Sequence, residues 1–418
     1  MKKFIENFTN SLTKIFFPFY KSNDIKLLFK CLEVDKKSNE EVAMFVGGCV
    51  RNYIQSKPID DIDIATIFTP QQLKEKLKNS QFKVIETGLE HGSVTVVSKN
   101  YKFELTTLRK DLKTDGRHAE IEIIDNWQED SKRRDFTMNA IYLSKKGKIF
   151  DPQQGVNDLK NNIVKFIGDP QTRIEEDFLR IIRFLRFSTQ YNTEIETTTI
   201  NAIKLNLSGI KNLSKERILS ELLKIIKLKN FSDIIDNKEL LEIFELIFPE
   251  FKNTSRLGKF KSLEDYIEKS DILFLSILLI DSKKSHEYFI HKYNTSNKIN
   301  EILKLINKNY ENLNKDKDFF KKNLKRNIFK VGVNNIKILL CLYLLDKKRF
   351  SKQEIDLFKT IENITIPKFP YDGKLLLNRG FKEGKKIGTI LSEAEKIWLQ
   401  KDFNLSKEDF EKIIKYNS

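Results

Sequence analysis

IDDIDIAT, residues 59–66, sets three aspartates among the four residues 60 to 63 of an otherwise apolar stretch. Read as a strand, it turns Asp61 and Asp63 to one face and Ile62 and Ile64 to the other, because successive strand side chains alternate. Asp60 then faces the other way or lies in the preceding turn. Carboxylates at i and i+2 lie about 7 Å apart along a strand. At that spacing they repel, and a hard divalent cation keeps both ionised. The same pair also suits a strand edge guarded by inward charge, so the neighbouring segments carry the argument.

Upstream, VAMFVGG (42–48) reads as a buried strand ending in Gly47-Gly48, with Arg51 just beyond. Paired glycines let backbone approach a ligand, the following helix offers unpaired N–H groups to phosphates, and Arg51 adds charge-assisted bonds. Downstream, PQQLKEKLKNS (70–80) is a helix that Pro70 can start, and SVTVVSK (93–99) and YKFELTTL (101–108) alternate as strands. Glu104 is out of phase with Phe103 and Leu105. If its strand pairs beside 61–65, a third carboxylate joins Asp61 and Asp63, a geometry suited to two-metal nucleotidyl transfer. The order strand, helix, strand, helix, strand, strand predicts a small mixed sheet with helices on one face.

Beyond the turn-rich DPQQGVNDLKNN (151–162) the pattern is helical almost throughout. The spacing predicts one helix over 173–191, with an apolar stripe at 174, 178, 181, 182 and 185. SKERILSELLKIIK (214–227) follows, with Ser214 as N-cap. The predicted class is α+β: a head with a small mixed sheet and helices (1–155), a helical neck (156–230), and a helical body and tail (231–418), the C-terminal half being elongated. No stretch approaches the roughly 18 apolar residues a membrane span needs. LTKIFFPFY (12–20) contains Pro18 and has no small-residue cleavage site after it, which argues against secretion. Cys31, Cys49 and Cys341 are too scattered for a disulfide framework or a zinc site, so a reducing, cytoplasmic compartment is expected. The net charge of +16 attracts polyanions, although a chain rich in Lys, Ile and Asn from coding bias would carry it too.

FVGGCVRNYI (45–54) with DDIDIAT (60–66) resembles the opening motif of the class II CCA-adding tRNA nucleotidyltransferase and bacterial poly(A) polymerase family. HGSVTVV (91–97) with YKFELTTLRKD, then DGRHAEI (115–121), RRDFTMNAIY (133–142), DPQQGVNDL, RIEEDFLRIIRFLRF and SKERILSELL match the later blocks in order, over roughly residues 40 to 230. The resemblance implies Mg²⁺ on Asp61 and Asp63, Glu104 as the third acid, and Gly47, Gly48 and Arg51 around a triphosphate. It implies phosphate contacts for Arg133 and Arg134, a ribose contact for Asp135, and a helix-start role for Asn139. Glu176, Asp177 and Arg180, with Arg183 nearby, fall where the family reads the incoming base. Asp177 and Arg180, three apart on one helix face, would together address cytosine N4 and N3 or adenine N6 and N1, rejecting uracil and guanine. An ordinary helix salt bridge has the same spacing.

Segment 107–125, carrying Arg109, Asp111, Asp115, Gly116 and Arg117 with His118, suits a mobile loop between strands. In the family such a loop is associated with adding the final A. Asn52 stands where the family usually has Asp, which removes a negative charge but keeps hydrogen-bonding capacity. IDDIDIAT differs from the poly(A) polymerase version of the motif and favours the tRNA enzyme. Residues 369–398 resemble the C-terminal part of alphaproteobacterial-type members; there Gly380, Gly384 and Gly388 are expected to interrupt short helices, and Lys382, Lys385 and Lys386 either meet RNA or are solvated. The implied partners are tRNA, CTP and ATP, with no membrane; monomer and homodimer both remain open. A poly(A) polymerase, a CC- or A-adding enzyme, and an inactive RNA-binding relative are the alternatives. No fused phosphohydrolase site is expected, because His286 and His291 lack a His-Asp pair.

Overall fold

A computed structural model describes residues 18–34, 41–86, 88–89, 92–114, 119–313 and 315–417. Two compact units part between Pro249 and Glu250. The first is built on a seven-stranded mixed sheet of β1 (Ala43–Val46), β2 (Ile62–Thr66), β3 (Lys83–Ile85), β4 (Ser93–Val97), β5 (Lys102–Thr107), β8 (Tyr142–Leu143) and β9 (Ile149–Phe150), in the order β3-β4-β5-β2-β1-β8-β9. β2 runs parallel to β5 and antiparallel to β1, which sets Asp63 between Val46 and Glu104. Alternation does what the sequence predicts: Ile62, Ile64, Phe103 and Leu105 are buried on one face while Asp63 and Glu104 occupy the other.

Ahead of the sheet lies α1 (Asn23–Leu32), its Ile25, Leu28, Phe29 and Leu32 buried at helical spacing. α2 (Gly48–Ile54) connects β1 to β2, and α3 (Pro70–Leu77) follows β2. Thr69 caps α3 in a reciprocal capping box with Gln72, Pro70 occupies its first turn, and Leu73 and Leu77 seat it on the sheet. Removing the Thr69 hydroxyl would cost about 1 kcal/mol.

The expected mobile loop at 107–125 is largely a two-stranded ribbon, β6 (Arg109–Thr114) paired antiparallel with β7 (Ala119–Ile123). Opposite charges face across it at Lys110 and Glu122. Charge on both faces hides the usual apolar alternation, which is why the segment reads as a loop. Arg109 and Asp111 are therefore strand residues; Asp115, Gly116, Arg117 and His118 lie outside the described residues.

After α4 (Trp127–Lys132) and α5 (Gly155–Lys160), the single helix expected over 173–191 is two: α6 (Pro170–Glu176) and α7 (Leu179–Tyr191). Asp177 breaks the run with extended backbone, φ −156° and ψ 106°. Its carboxylate accepts the Leu179 N–H at 3.1 Å, offering the chain a local alternative to helical bonding. Phe178 returns to helical backbone, and its ring lies against Gly209, where a Cβ would come within 2.2 Å of it. α8 (Thr197–Asn206), α9 (Lys215–Ile226) and α10 (Lys238–Ile247) complete this unit, with Ser214 capping α9 as expected.

The second unit is helical among its described residues: α11 (Arg256–Phe260), α12 (Asp271–Leu279), α13 (Ser285–Tyr293), α14 (Asn297–Leu313), α15 (Leu324–Val331), α16 (Val333–Asp346), α17 (Lys352–Asn363), α18 (Gly373–Leu377), α19 (Lys385–Gln400) and α20 (Lys407–Asn417). Buried Arg256 ties four of them together, bonding Asp346, the carbonyls of Ile277 and Ile280, and the Tyr310 hydroxyl. Such a buried cation is stable only because its donors are matched. Gly388 does not interrupt a helix as expected; it lies inside α19, which Ile387, Ile390, Ala394 and Trp398 anchor along one buried face. Among the described residues no single helix is long and apolar enough to cross a membrane.

Candidate active site

Gly47 ends β1 with φ +74°, a conformation glycine adopts without strain, and a Cβ there would sit 3.4 Å from Asp63 Oδ2. The turn thus brings the α2 N-terminus beside the carboxylate, and a cleft of about 810 Å³ opens over it. Asp61, Asp63 and Glu104 line one part of the cleft, together with Asp60; Gly47, Gly48 and Arg51 line another. The arginines 133, 134, 180 and 183 reach the same space, as do Asp135, Asn139, Asp177, Arg109 and Asp111. Glu176 does not line it and sits behind, bonded to Arg180.

Burial raises the Asp63 carboxyl to about 6, and the nearby Glu104 and Asp61 charges push the same way against the opposing pull of Arg134 and Arg51. A cation would relieve that repulsion, and three carboxylates are hard oxygen donors of the kind Mg²⁺ prefers. Among the described residues no three acidic, His or Cys side chains gather closely enough to enclose an ion on their own. The donor set therefore fits a metal that takes its remaining ligands from phosphate oxygens and water, as magnesium sites commonly do.

Asp130 in α4, unforeseen from the sequence, organises the arginine side. It is fully buried and bonds Arg133 Nε at 2.8 Å, Arg134 Nη2 at 2.9 Å, the Tyr142 hydroxyl at 2.7 Å and the Arg109 backbone N–H at 3.2 Å. Burial alone would raise its pKa; the charges of Arg134 and Arg133 overcome that and hold it well below the carboxylate range. Arg133 and Arg134 thus belong to a largely buried network centred on Asp130.

Asp135 is similarly committed. One oxygen accepts Arg183 Nε at 2.7 Å, and the other accepts the Phe136 N–H and Asn139 Nδ2, each at 2.9 Å. Burial opposes ionisation there, yet Arg183 and these bonds hold the pKa at about 2. Asn139, in a short 3₁₀ turn, accepts from Arg51 on its other side. Asn52 donates to the Pro58 carbonyl at 2.8 Å, a bond that needs no negative charge.

Asp177 and Arg180 do not share a helix face, because the chain breaks between them. Asp177 Oδ2 accepts Arg217 Nη2 at 2.8 Å, from α9. Arg180 is held by Glu176 at 2.5 Å and by the Arg173 carbonyl at 2.8 Å. Arg173 is buried, pairs with Glu176 and donates to both the Arg133 and Arg134 carbonyls at 2.7 Å, tying α6 to the arginine segment. Asp177 and Arg180 are thus each paired with another residue and not with one another.

Sequence reading also missed Arg186, Phe187 and Lys224 on the cleft wall. Arg186 lies 4.2 Å from the Phe187 ring centroid and 2.8 Å from Glu221; burial lowers its pKa to about 10 despite Glu221. The recurrence of arginine at 180, 183 and 186 would have found it.

Residues 43–165 match the Poly A polymerase head domain, and residues 192–254 match the probable RNA and SrmB-binding site of polymerase A. The chain is 31% identical over 393 residues to CCA tRNA nucleotidyltransferase 1, mitochondrial, of Mus musculus, covering 92% of this chain and 88% of that protein. It is 30% identical over 385 residues to the CCA-adding enzyme of Ligilactobacillus salivarius, covering 90% and 92%. The structure of the Bacillus stearothermophilus CCA-adding enzyme in complex with CTP shares the fold, with a TM-score of 0.71 at 21% identity over 95% of this chain and 98% of that one.

Proposed function

The chain belongs to the CCA-adding tRNA nucleotidyltransferase family, and from that membership we propose that it adds C, C and A to the 3′ end of tRNA from CTP and ATP, without a nucleic-acid template. The observation that carries this reading is the cleft that gathers an acidic edge, a glycine turn, an arginine wall and a separately held Asp177 and Arg180. The acceptor 3′-oxygen bonds the alpha phosphorus, the bond to the beta phosphate oxygen breaks, and pyrophosphate leaves.

Asp61 and Asp63 would hold Mg²⁺. A metal held there would supply Lewis acidity to the attacking hydroxyl and positive charge to the triphosphate. Glu104 lies across from Asp63 on the neighbouring strand and would serve as the third acid, taking up the hydroxyl proton. Gly47 and Gly48 let the triphosphate approach the α2 N-terminus. Arg51, Arg133, Arg134 and Arg186 balance its charge, the first held by Asn139 and the next two by Asp130. Asp135 sets Arg183 and Asn139 and presents the ribose side of the pocket.

Base choice rests on Asp177 and Arg180. The Asp177 carboxylate accepts the exocyclic amine of cytosine or adenine, and the Arg180 guanidinium donates to the adjacent ring nitrogen. Uracil and guanine offer an oxygen where Asp177 requires a donor, a mismatch costing on the order of 1–3 kcal/mol. Glu176 and Arg217 keep both side chains in place between turnovers. Residues 1–155 carry the chemistry, 156–230 the base reading, and the helices of 231–418 hold tRNA through its phosphates and 2′-hydroxyls. The described cysteines are unpaired, in keeping with a reducing cytoplasmic setting.

Supplying each nucleoside triphosphate singly tests the reading. tRNA ending before CCA should be extended by CTP alone, and tRNA ending in CC by ATP alone. Extension of either by UTP or GTP at a comparable rate would contradict it.

A further inference from the structure

In-line displacement places the attacking oxygen and the leaving group on opposite sides of the phosphorus. The triphosphate side of this cleft is fixed by Gly47, Gly48 and Arg51 after β1. Strand order puts β5 and β4 on the other side of β2, so the RNA end must approach over them. Glu104 on β5 faces that approach, and Thr106, two residues on, shares its face. Ser93 on β4 lies opposite Thr106 in the antiparallel register, and their hydroxyls are 2.9 Å apart.

Both residues line the cleft. Neither hydroxyl has another hydrogen-bond partner among the described residues, and only one of the two can donate within the pair. One O–H donor and several lone pairs remain available. Strand positions facing a sheet interior are normally filled by apolar side chains, so a bonded hydroxyl pair beside the carboxylates offers short, neutral, directional contacts. Such contacts suit a sugar hydroxyl better than a phosphate, which charged donors bind more strongly.

We infer that Ser93 and Thr106 bind the 2′-hydroxyl of the acceptor's terminal nucleotide and so make the enzyme select RNA ends over DNA ends. The inference rests on the CCA-addition reading. The pair acts on the acceptor, whereas Asp177 and Arg180 act on the incoming base. Holding the 2′-oxygen orients its vicinal 3′-hydroxyl toward Glu104 and Asp63, so loss of the contact weakens acceptor use and leaves CTP binding unchanged.

The experiment measures single-turnover C addition to two tRNAs lacking CCA, one ending in a ribonucleotide and one in its 2′-deoxy counterpart. Wild type should favour the ribonucleotide end roughly tenfold or more. In Ser93→Ala/Thr106→Val the ratio should fall toward one, through slower use of the ribonucleotide end, with an unchanged KM for CTP. Ser93→Thr, which keeps the hydroxyl, should retain the ratio. Should the double variant not fold, the two single variants read the same ratio. Equal rates on both ends in wild type, or a wild-type ratio in the variants, would overturn the inference while leaving CCA addition intact. No addition to either end by wild type would overturn the CCA-addition reading, and the inference with it.

Discussion

At Asp63, burial and two neighbouring carboxylates work against the charge that metal binding requires. Asp63→Ala removes the donor at the centre of that cluster and should lower nucleotide incorporation by at least about 10³-fold, with tRNA affinity little changed in a filter-binding measurement. Arg180→Ala should instead blur base choice, reducing discrimination between CTP and UTP by roughly 10- to 100-fold in competition assays; unchanged selection would remove Arg180 from the reader. Asp135 makes a different prediction. Its folded pKa of about 2 lies below the ordinary carboxylate value, so it stabilises the fold above pH 4 and that stabilisation is lost as pH falls toward 2. The integrated effect is about 2 kcal/mol. Urea midpoints followed from pH 5 to pH 3 should therefore drop less steeply in Asp135→Asn than in wild type. Asp63, Glu104 and the glycine pair were legible because strand alternation and a glycine turn are local signals; Asp61 lies just ahead of β2, so it reaches the cleft from outside the strand that alternation describes. Asp130 was not, since nothing in its sequence neighbourhood reveals that this helical acid is fully buried among two arginines and a tyrosine.

Among the elements, the joint between α6 and α7 sets Asp177 and Arg180 apart, where one continuous helix would have placed them on one face. Periodicity alone spans the break smoothly, because apolar spacing continues through residue 178; the Asp177–Arg217 pair and the close approach of Phe178 to Gly209 are tertiary facts. Arg173 secures this joint through two backbone carbonyls and Glu176. Arg173→Lys retains the charge but not the fork of donors. It should raise misincorporation several-fold while lowering the urea midpoint only slightly. The β6–β7 ribbon taught the opposite lesson. Its strands escaped the sequence reading because charged residues occupy both faces, yet their base places Arg109 and Asp111 at the cleft, within the segment already suspected of a functional role.

For the molecule as a whole, the basic charge of +16 and the helices beyond the sheet matter through long-range attraction for a polyanion. tRNA affinity should fall by roughly 10- to 1000-fold between 50 and 200 mM salt, as expected for several phosphate contacts. A nearly flat dependence, in fluorescence anisotropy for instance, would contradict phosphate-dominated binding. The α+β head and the helical remainder followed from the change of period near residue 160, whereas the parting of two units between Pro249 and Glu250 is marked only by a proline in a turn between two helices, a signal that joints within a helical unit share. The most direct test of the account supplies Mg²⁺, CTP and ATP together to tRNA ending before CCA and sequences the products. It predicts C, C and A in that order, followed by arrest; a run of adenosines, or a product that stops after the second cytosine, would contradict it.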